Sequence, residues 1–161
     1  MRETTAGRRL PARIAVTVML AAGAASVAAA DTPLARLATD TDLKWGACPD
    51  FMPRGCQIAV LHGDPAQANA DVFFKVPGNS EIPRHWHTSA ERMVLVAGEL
   101  HVRYDGHKTV VLTPGTYAYG PARAPHTATC KGKEPCVLFI AFESPVDALP
   151  GGPSDAAASA Q

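Results

Sequence analysis

From Gln57 onward, apolar residues alternate with polar ones in short runs, and each run closes on a turn signal. Candidate strands are residues 57–62, 71–76, 83–87, 92–96, 100–104, 108–112, 116–119, 126–130 and 137–143. The breakers are Gly63-Asp64-Pro65, Pro77-Gly78, Asp105-Gly106 and Pro114-Gly115, and Asp-Gly is a strong two-residue hairpin signal. Many short strands with almost no helical periodicity predict an all-β sandwich or barrel. Val137 to Phe142 is apolar at every position, which predicts a strand covered on both faces, by a dimer partner or by the N-terminal arm.

The pattern changes at both ends. Residues 1–30 have a basic start (Arg2, Arg8, Arg9, Arg13), an uncharged run from Ile14 to Val27, and small residues before Asp31. They read as a cleaved export signal, because the run is short for an uncleaved anchor helix. The pair Arg8-Arg9 also admits a twin-arginine route. Residues 31–56 are expected to form an irregular arm with a short helix at Pro33 to Leu37. The folded domain should span 57–146, and the small-residue tail 147–161 should be disordered. The expected location is periplasmic or secreted, with no stable membrane anchor after cleavage.

Cleavage alters the charge balance. Of 15 basic and 15 acidic residues, the segment removes four arginines and one glutamate, leaving 11 and 14 and a net charge of −3. No basic patch remains to suggest a nucleic-acid partner. All four cysteines lie in the exported part, where disulfides can form. Three connectivities are open, and Cys48 with Cys56 and Cys130 with Cys136 are the local choices. The second pair would close a hairpin over Lys131 to Pro135 and pin the strand that begins at His126. The rival reading, a redox or second metal site, lacks the two-residue cysteine spacing of such motifs.

The densest chemistry lies between Gly78 and Gly98. His85 and His87 are two apart, so on a strand both imidazoles project from one face. Glu91 follows after the turn Thr88-Ser89-Ala90 and brings a carboxylate beside them; His126 opens a later strand and offers a third imidazole. Three nitrogens and one oxygen suit one divalent ion per chain, with positions left open to water or substrate. Iron is the first expectation, with manganese, nickel, copper and zinc as alternatives.

The segment resembles the first motif of the cupin superfamily in His85-x-His87, the three-residue gap to Glu91 and the six-residue gap to Gly98, with Gly78 one residue early. Gly115, Pro121 and His126 resemble the second motif. There Arg123 stands where the family has glycine, and Cys130 where it often has asparagine. The resemblance covers residues 57–143 and implies a double-stranded β-helix, the jelly-roll barrel of cupins. It also implies that His85, His87, Glu91 and His126 are the metal ligands. The wording around the motifs is similar to the ChrR-like branch, which includes dioxygenases cleaving diketones or hydroxyaryl ketones as well as anti-sigma-factor domains.

Two functions follow. One is a metal-dependent dioxygenase acting on a small enolisable or phenolic compound; the other is a non-catalytic module that captures a small oxygenated ligand on its metal. A homodimer is expected, since small cupins often pair through their sheets. Met93 and Leu95 share the parity of Glu91 and should lie beneath the metal, whereas Trp86 should face away. Arg84, Arg123, Tyr117 and Tyr119 could clamp a substrate, but the rim or exterior is the favoured place for each. His62, His101 and His107 read as surface or structural.

Overall fold

The computed structural model describes residues 32–153, so the export signal expected at 1–30 and the last part of the expected tail, 154–161, lie outside the described residues. The chain divides into two units between Leu34 and Ala35. Of the first, only residues 32–34 are described, and they are irregular.

The second unit is almost entirely β. Its strands are β1 (Trp45–Ala47), β2 (Gln57–His62), β3 (Asp71–Val76), β4 (Ser80–Trp86), β5 (Glu91–Ala97), β6 (Glu99–Tyr104), β7 (Val110–Leu112), β8 (Tyr117–Gly120), β9 (His126–Lys131), β10 (Cys136–Phe142) and β11 (Leu149–Pro150). A six-stranded sheet has the order β1-β2-β3-β10-β5-β8, and a five-stranded sheet has the order β11-β4-β9-β6-β7. Every pairing is antiparallel. This is the expected jelly roll, with two open sheets rather than a closed barrel.

Alternation builds the core. Ile82, Leu100, Val102 and Ala128 of the five-stranded sheet form one cluster with Val72, Leu95, Leu138 and Ile140 of the six-stranded sheet. Each fully buried Leu or Ile of such a cluster contributes roughly 1.5–3 kcal/mol. Strand β10 lies between β3 and β5, and its inward residues Leu138, Ile140 and Phe142 are buried. On its outer side Val137 is buried, while Phe139 and Ala141 are half-buried, so cover on that face is partial.

Three expectations are corrected. No helix forms at residues 33–37; the Leu37 N–H donates to the Asp40 carboxylate at 3.0 Å and Arg36 pairs with Asp42 at 2.6 Å. Such local side-chain bonds to backbone compete with a helical turn. Strand β4 begins at Ser80 rather than Pro83, and its register with β9 shifts between Ile82 and His85, where Pro83 has no N–H to donate. The fold also runs past Val146. Leu149–Pro150 pairs with β4, the Gly151 N–H donates to the Arg84 carbonyl at 2.9 Å, and Val146 N–H donates to the Pro65 carbonyl at 2.8 Å. Backbone pairing holds this segment where its side chains gave no hydrophobic signal.

Both local cysteine pairs are disulfides, Cys48–Cys56 and Cys130–Cys136, which suits an oxidising compartment. Among the described residues no helix is long and apolar enough to cross a membrane.

Candidate metal centre

Two rows of residues face each other at one end of the sandwich. In the five-stranded sheet, Pro150, His85, His126 and Tyr104 are successive partners across β11, β4, β9 and β6. In the six-stranded sheet, Phe142, Glu91 and Gly120 are partners across β10, β5 and β8. The register shift in β4 is what sets His85 opposite His126. Beyond the end of β4, His87 leads into the turn to β5. That turn is anchored by buried Ser89, whose Oγ donates to the Ala90 carbonyl and accepts the N–H groups of Glu143 and Ser144, both at 2.9 Å.

One ring nitrogen each of His85, His87 and His126 fall within 4.8 Å of one another, and all three residues are buried. Their tautomers follow from their partners. His85 Nδ1 lies 2.8 Å from the Pro83 carbonyl, His126 Nδ1 lies 3.1 Å from the Ala124 carbonyl, and His87 Nδ1 contacts the Asp147 carbonyl. A carbonyl only accepts, so each Nδ1 carries a hydrogen, which leaves Nε2 as the nitrogen able to ligate an ion. Burial pushes His85 down to about 3, helped by the neighbouring His126 and His87. Burial likewise pushes His126 down to about 4, against the pull of its bond to Ala124. Neutral imidazoles with fixed tautomers are what a divalent ion requires. The donor set therefore fits a metal ion.

Glu91 stands slightly apart. Its Oε1 is 3.4 Å from His87 Nε2, but the tight group of donor atoms comprises the three imidazoles alone. Its carboxyl is buried and pushed above the usual carboxylate range by desolvation, only partly offset by His87.

The imidazoles open on a cavity of about 260 Å³. Its walls include Ile82, Met93, Leu138, Ile140 and Phe142, with Leu95 fully buried below. The arm contributes Cys48, Pro49 and Met52, so the first disulfide loop is part of the wall.

Sequence reasoning missed two polar residues here. Tyr104 lines the cavity with its ring 4.7 Å from that of His126, and burial together with the Glu91 charge pushes its phenol up. Its parity with Leu100 and Val102 along β6 was the available signal. Asp147 also lines the cavity; its carboxylate accepts from the Thr88 N–H at 2.9 Å and the Thr88 hydroxyl at 2.6 Å. No local pattern marked it.

The residues weighed as clamps lie elsewhere. Tyr117 and Tyr119 are more than half exposed, and Arg84 pairs with Asp105 at 2.7 Å. Arg123 lies over the Trp86 ring at 5.1 Å. Its φ of 61° keeps the left-handed turn that glycine would otherwise supply, and its N–H donates to the His87 carbonyl at 2.7 Å. His62, His101 and His107 do not line the cavity, and His101 contacts Glu99 at 2.7 Å.

The family model described as the cupin domain matches residues 72–142. Among solved structures, a cupin-2 domain protein from Rhodospirillum rubrum is 14% identical, with a TM-score of 0.61 over 81% of this chain and 90% of that one. The DMSP lyase DddQ from Ruegeria pomeroyi is 18% identical, with a TM-score of 0.58 over 67% of this chain. The match spans 60% of the lyase's own length. An RmlC-like cupin from Shewanella frigidimarina is 24% identical, with a TM-score of 0.52 over 65% of this chain and 86% of that one. At these identities the likeness speaks to fold. No curated protein matches the sequence.

Proposed function

This chain belongs to the cupin superfamily, and we propose that it is an exported metal-dependent enzyme, a dioxygenase acting on a small enolisable or phenolic compound. The observation that carries the reading is the convergence of three buried imidazoles, each held by a backbone carbonyl at Nδ1, on an apolar cavity. His85, His87 and His126 would hold the ion, with Glu91 as the fourth ligand. Iron is the ion proposed, because the reaction needs a redox-active metal; the ligand set itself also admits manganese, nickel, copper and zinc. When bound, a redox-active ion would supply Lewis acidity and access to dioxygen chemistry.

The rest is done by the protein itself. Met93, Leu138, Ile140 and Phe142 exclude water and receive the apolar body of a substrate whose paired oxygens face the imidazoles. Among the described lining residues there is no Lys or Arg, so a head group carrying a single negative charge is favoured over a dianion. The Asp147 carbonyl holds the His87 ring in its orientation.

The second reading is metal-dependent capture of a small ligand without turnover. It is favoured by the short supply of catalytic groups: besides the four ligands, only Tyr104 and Asp147 offer titratable side chains among the described lining residues. Elemental analysis of the exported protein, purified without chelators, combined with oxygen uptake on pentane-2,4-dione and catechols, separates the two. One iron per chain with uptake supports the enzyme. Saturable binding without uptake supports the capture module, and no metal after reconstitution sinks both.

Export to the periplasm or beyond accords with the two disulfides, and a mature N-terminus near Asp31 would establish it. A homodimer through the outer face of the six-stranded sheet is also proposed. Trp45, Ala59, Phe73, Phe139, Val94 and Tyr117 are successive partners there across all six strands; Ala59 and Phe73 are already buried, and Trp45, Phe139, Val94 and Tyr117 keep apolar surface for a partner. Light scattering of wild type and Phe139→Asp tests it, and a monomeric wild type would rule it out.

A further inference from the structure

We propose that Tyr104 is the ligand-orienting hydroxyl of this cavity, donating from Oη to an oxygen of the molecule held beside the three imidazoles. The inference rests on the reading of His85, His87 and His126 as a metal site and adds a residue that the ligand motifs do not include.

Position comes first. Tyr104 is the cross-strand partner of His126, which is itself the partner of His85, so phenol and imidazoles share one row and one face. Its ring stands 4.7 Å from that of His126.

The hydroxyl is the second observation. It is buried and has no hydrogen-bond partner among the described residues. Burying a hydroxyl without a partner is costly, and phenylalanine would fill the same space without that cost. The packing of β6 therefore gives no reason for the oxygen. A ligand acceptor does.

The third observation lies across the cavity. Gly120 is the cross-strand partner of Glu91, and a Cβ added there would overlap the Tyr104 hydroxyl and come within 3.1 Å of Glu91 Oε2. Glycine thus keeps open the space into which the phenol reaches from the opposite sheet, toward the carboxylate. Among the described lining residues Tyr104 carries the only hydroxyl. The imidazole N–H groups are engaged by backbone carbonyls, which leaves the phenol as the neutral donor free to meet a ligand oxygen. Enolates, phenolates and carboxylates offer such an oxygen; an apolar ligand would leave the hydroxyl unmet.

The test uses the full exported chain loaded with cobalt(II) and titrated with acetohydroxamate, a small chelating monoanion, followed by visible absorption. Tyr104→Phe should keep cobalt affinity within roughly two-fold and melt, metal-free, at or above the wild-type temperature, while binding acetohydroxamate about ten-fold more weakly. Gly120→Ala should weaken acetohydroxamate as well, because its methyl displaces the phenol. Unchanged acetohydroxamate affinity in Tyr104→Phe overturns the proposal. So does a joint fall in cobalt affinity and melting temperature, which would make Tyr104 a packing support for His126. A wild type that takes up cobalt but not acetohydroxamate overturns the proposal and spares the metal site; a wild type that takes up no cobalt overturns both.

Discussion

His87 donates from Nδ1 to the backbone carbonyl of Asp147, 60 residues further along the chain, and the Asp147 carboxylate is bonded in turn to Thr88. The C-terminal segment thus clamps the turn that follows β4 and points His87 Nε2 at the other imidazoles. Asp147→Ala removes the two bonds to Thr88 and should lower metal affinity about ten-fold. It should also cost about 1–2 kcal/mol of stability. Deleting the residues after Val146 removes the carbonyl too and should cost more. Chelator competition measures both, and full affinity in the truncated chain would show that the clamp is idle.

The ligand assignment has its own test. His87→Ala or His126→Ala should abolish stoichiometric metal binding with the β-rich circular dichroism retained. Glu91→Gln should weaken binding without abolishing it, since Glu91 lies outside the tight imidazole group. Unchanged metal content in both histidine variants would mean that the ion, if any, sits elsewhere.

Acid should destabilise the metal-free protein. His85 and His126 titrate near 6.5 when unfolded but at about 3 and about 4 in the fold, so only the unfolded chain gains protons as pH drops below 6.5. Their contribution is present in full above 6.5 and is lost as pH falls toward 4 and 3. At pH 5 the loss is on the order of 2 kcal/mol per histidine. Glu91 has the opposite sign: its raised value lets the folded state hold a proton above 4.5, so its contribution falls as pH rises through that window. Two histidines outweigh one carboxyl between 4.5 and 6.5. Urea melts at pH 5, 6 and 7 should show stability rising with pH up to about 6.5; a fall over that range would contradict the burial of these groups.

The Cys130–Cys136 bridge joins the strand of His126 to β10. The double variant Cys130→Ser/Cys136→Ser should lose about 2 kcal/mol, the scale of a short closed loop. Chemical denaturation without reductant measures it, and an unchanged midpoint would show that β-sheet pairing alone holds the hairpin.

Arg123 separates strain from stacking. Arg123→Ala keeps a Cβ at φ 61° and loses the cover over Trp86, so it should cost about 1 kcal/mol. Arg123→Gly loses the same cover but relieves the strain, and should melt above the alanine variant by the equivalent of about 1 kcal/mol. Equal melting temperatures would show that the left-handed turn is not strained.

Much of this protein could be read from its sequence because the signals are local. Alternation within short runs marked β2, β3, β5, β6, β9 and β10, and the two-residue spacing of His85 and His87 already implied a shared face. The hairpin disulfide was legible because only five residues lie between Cys130 and Cys136. Only the tertiary structure decided which residues of distant strands share a row. The register of β9 against β4 and β6 sets His126 between His85 and Tyr104, and that of β5 against β8 sets Glu91 opposite Gly120. Register depends on bulges and pairings between strands far apart in sequence, so no local pattern encodes it. Asp147 shows the same limit: its carbonyl positions a histidine through the backbone, and a backbone oxygen has no signature in the amino-acid sequence.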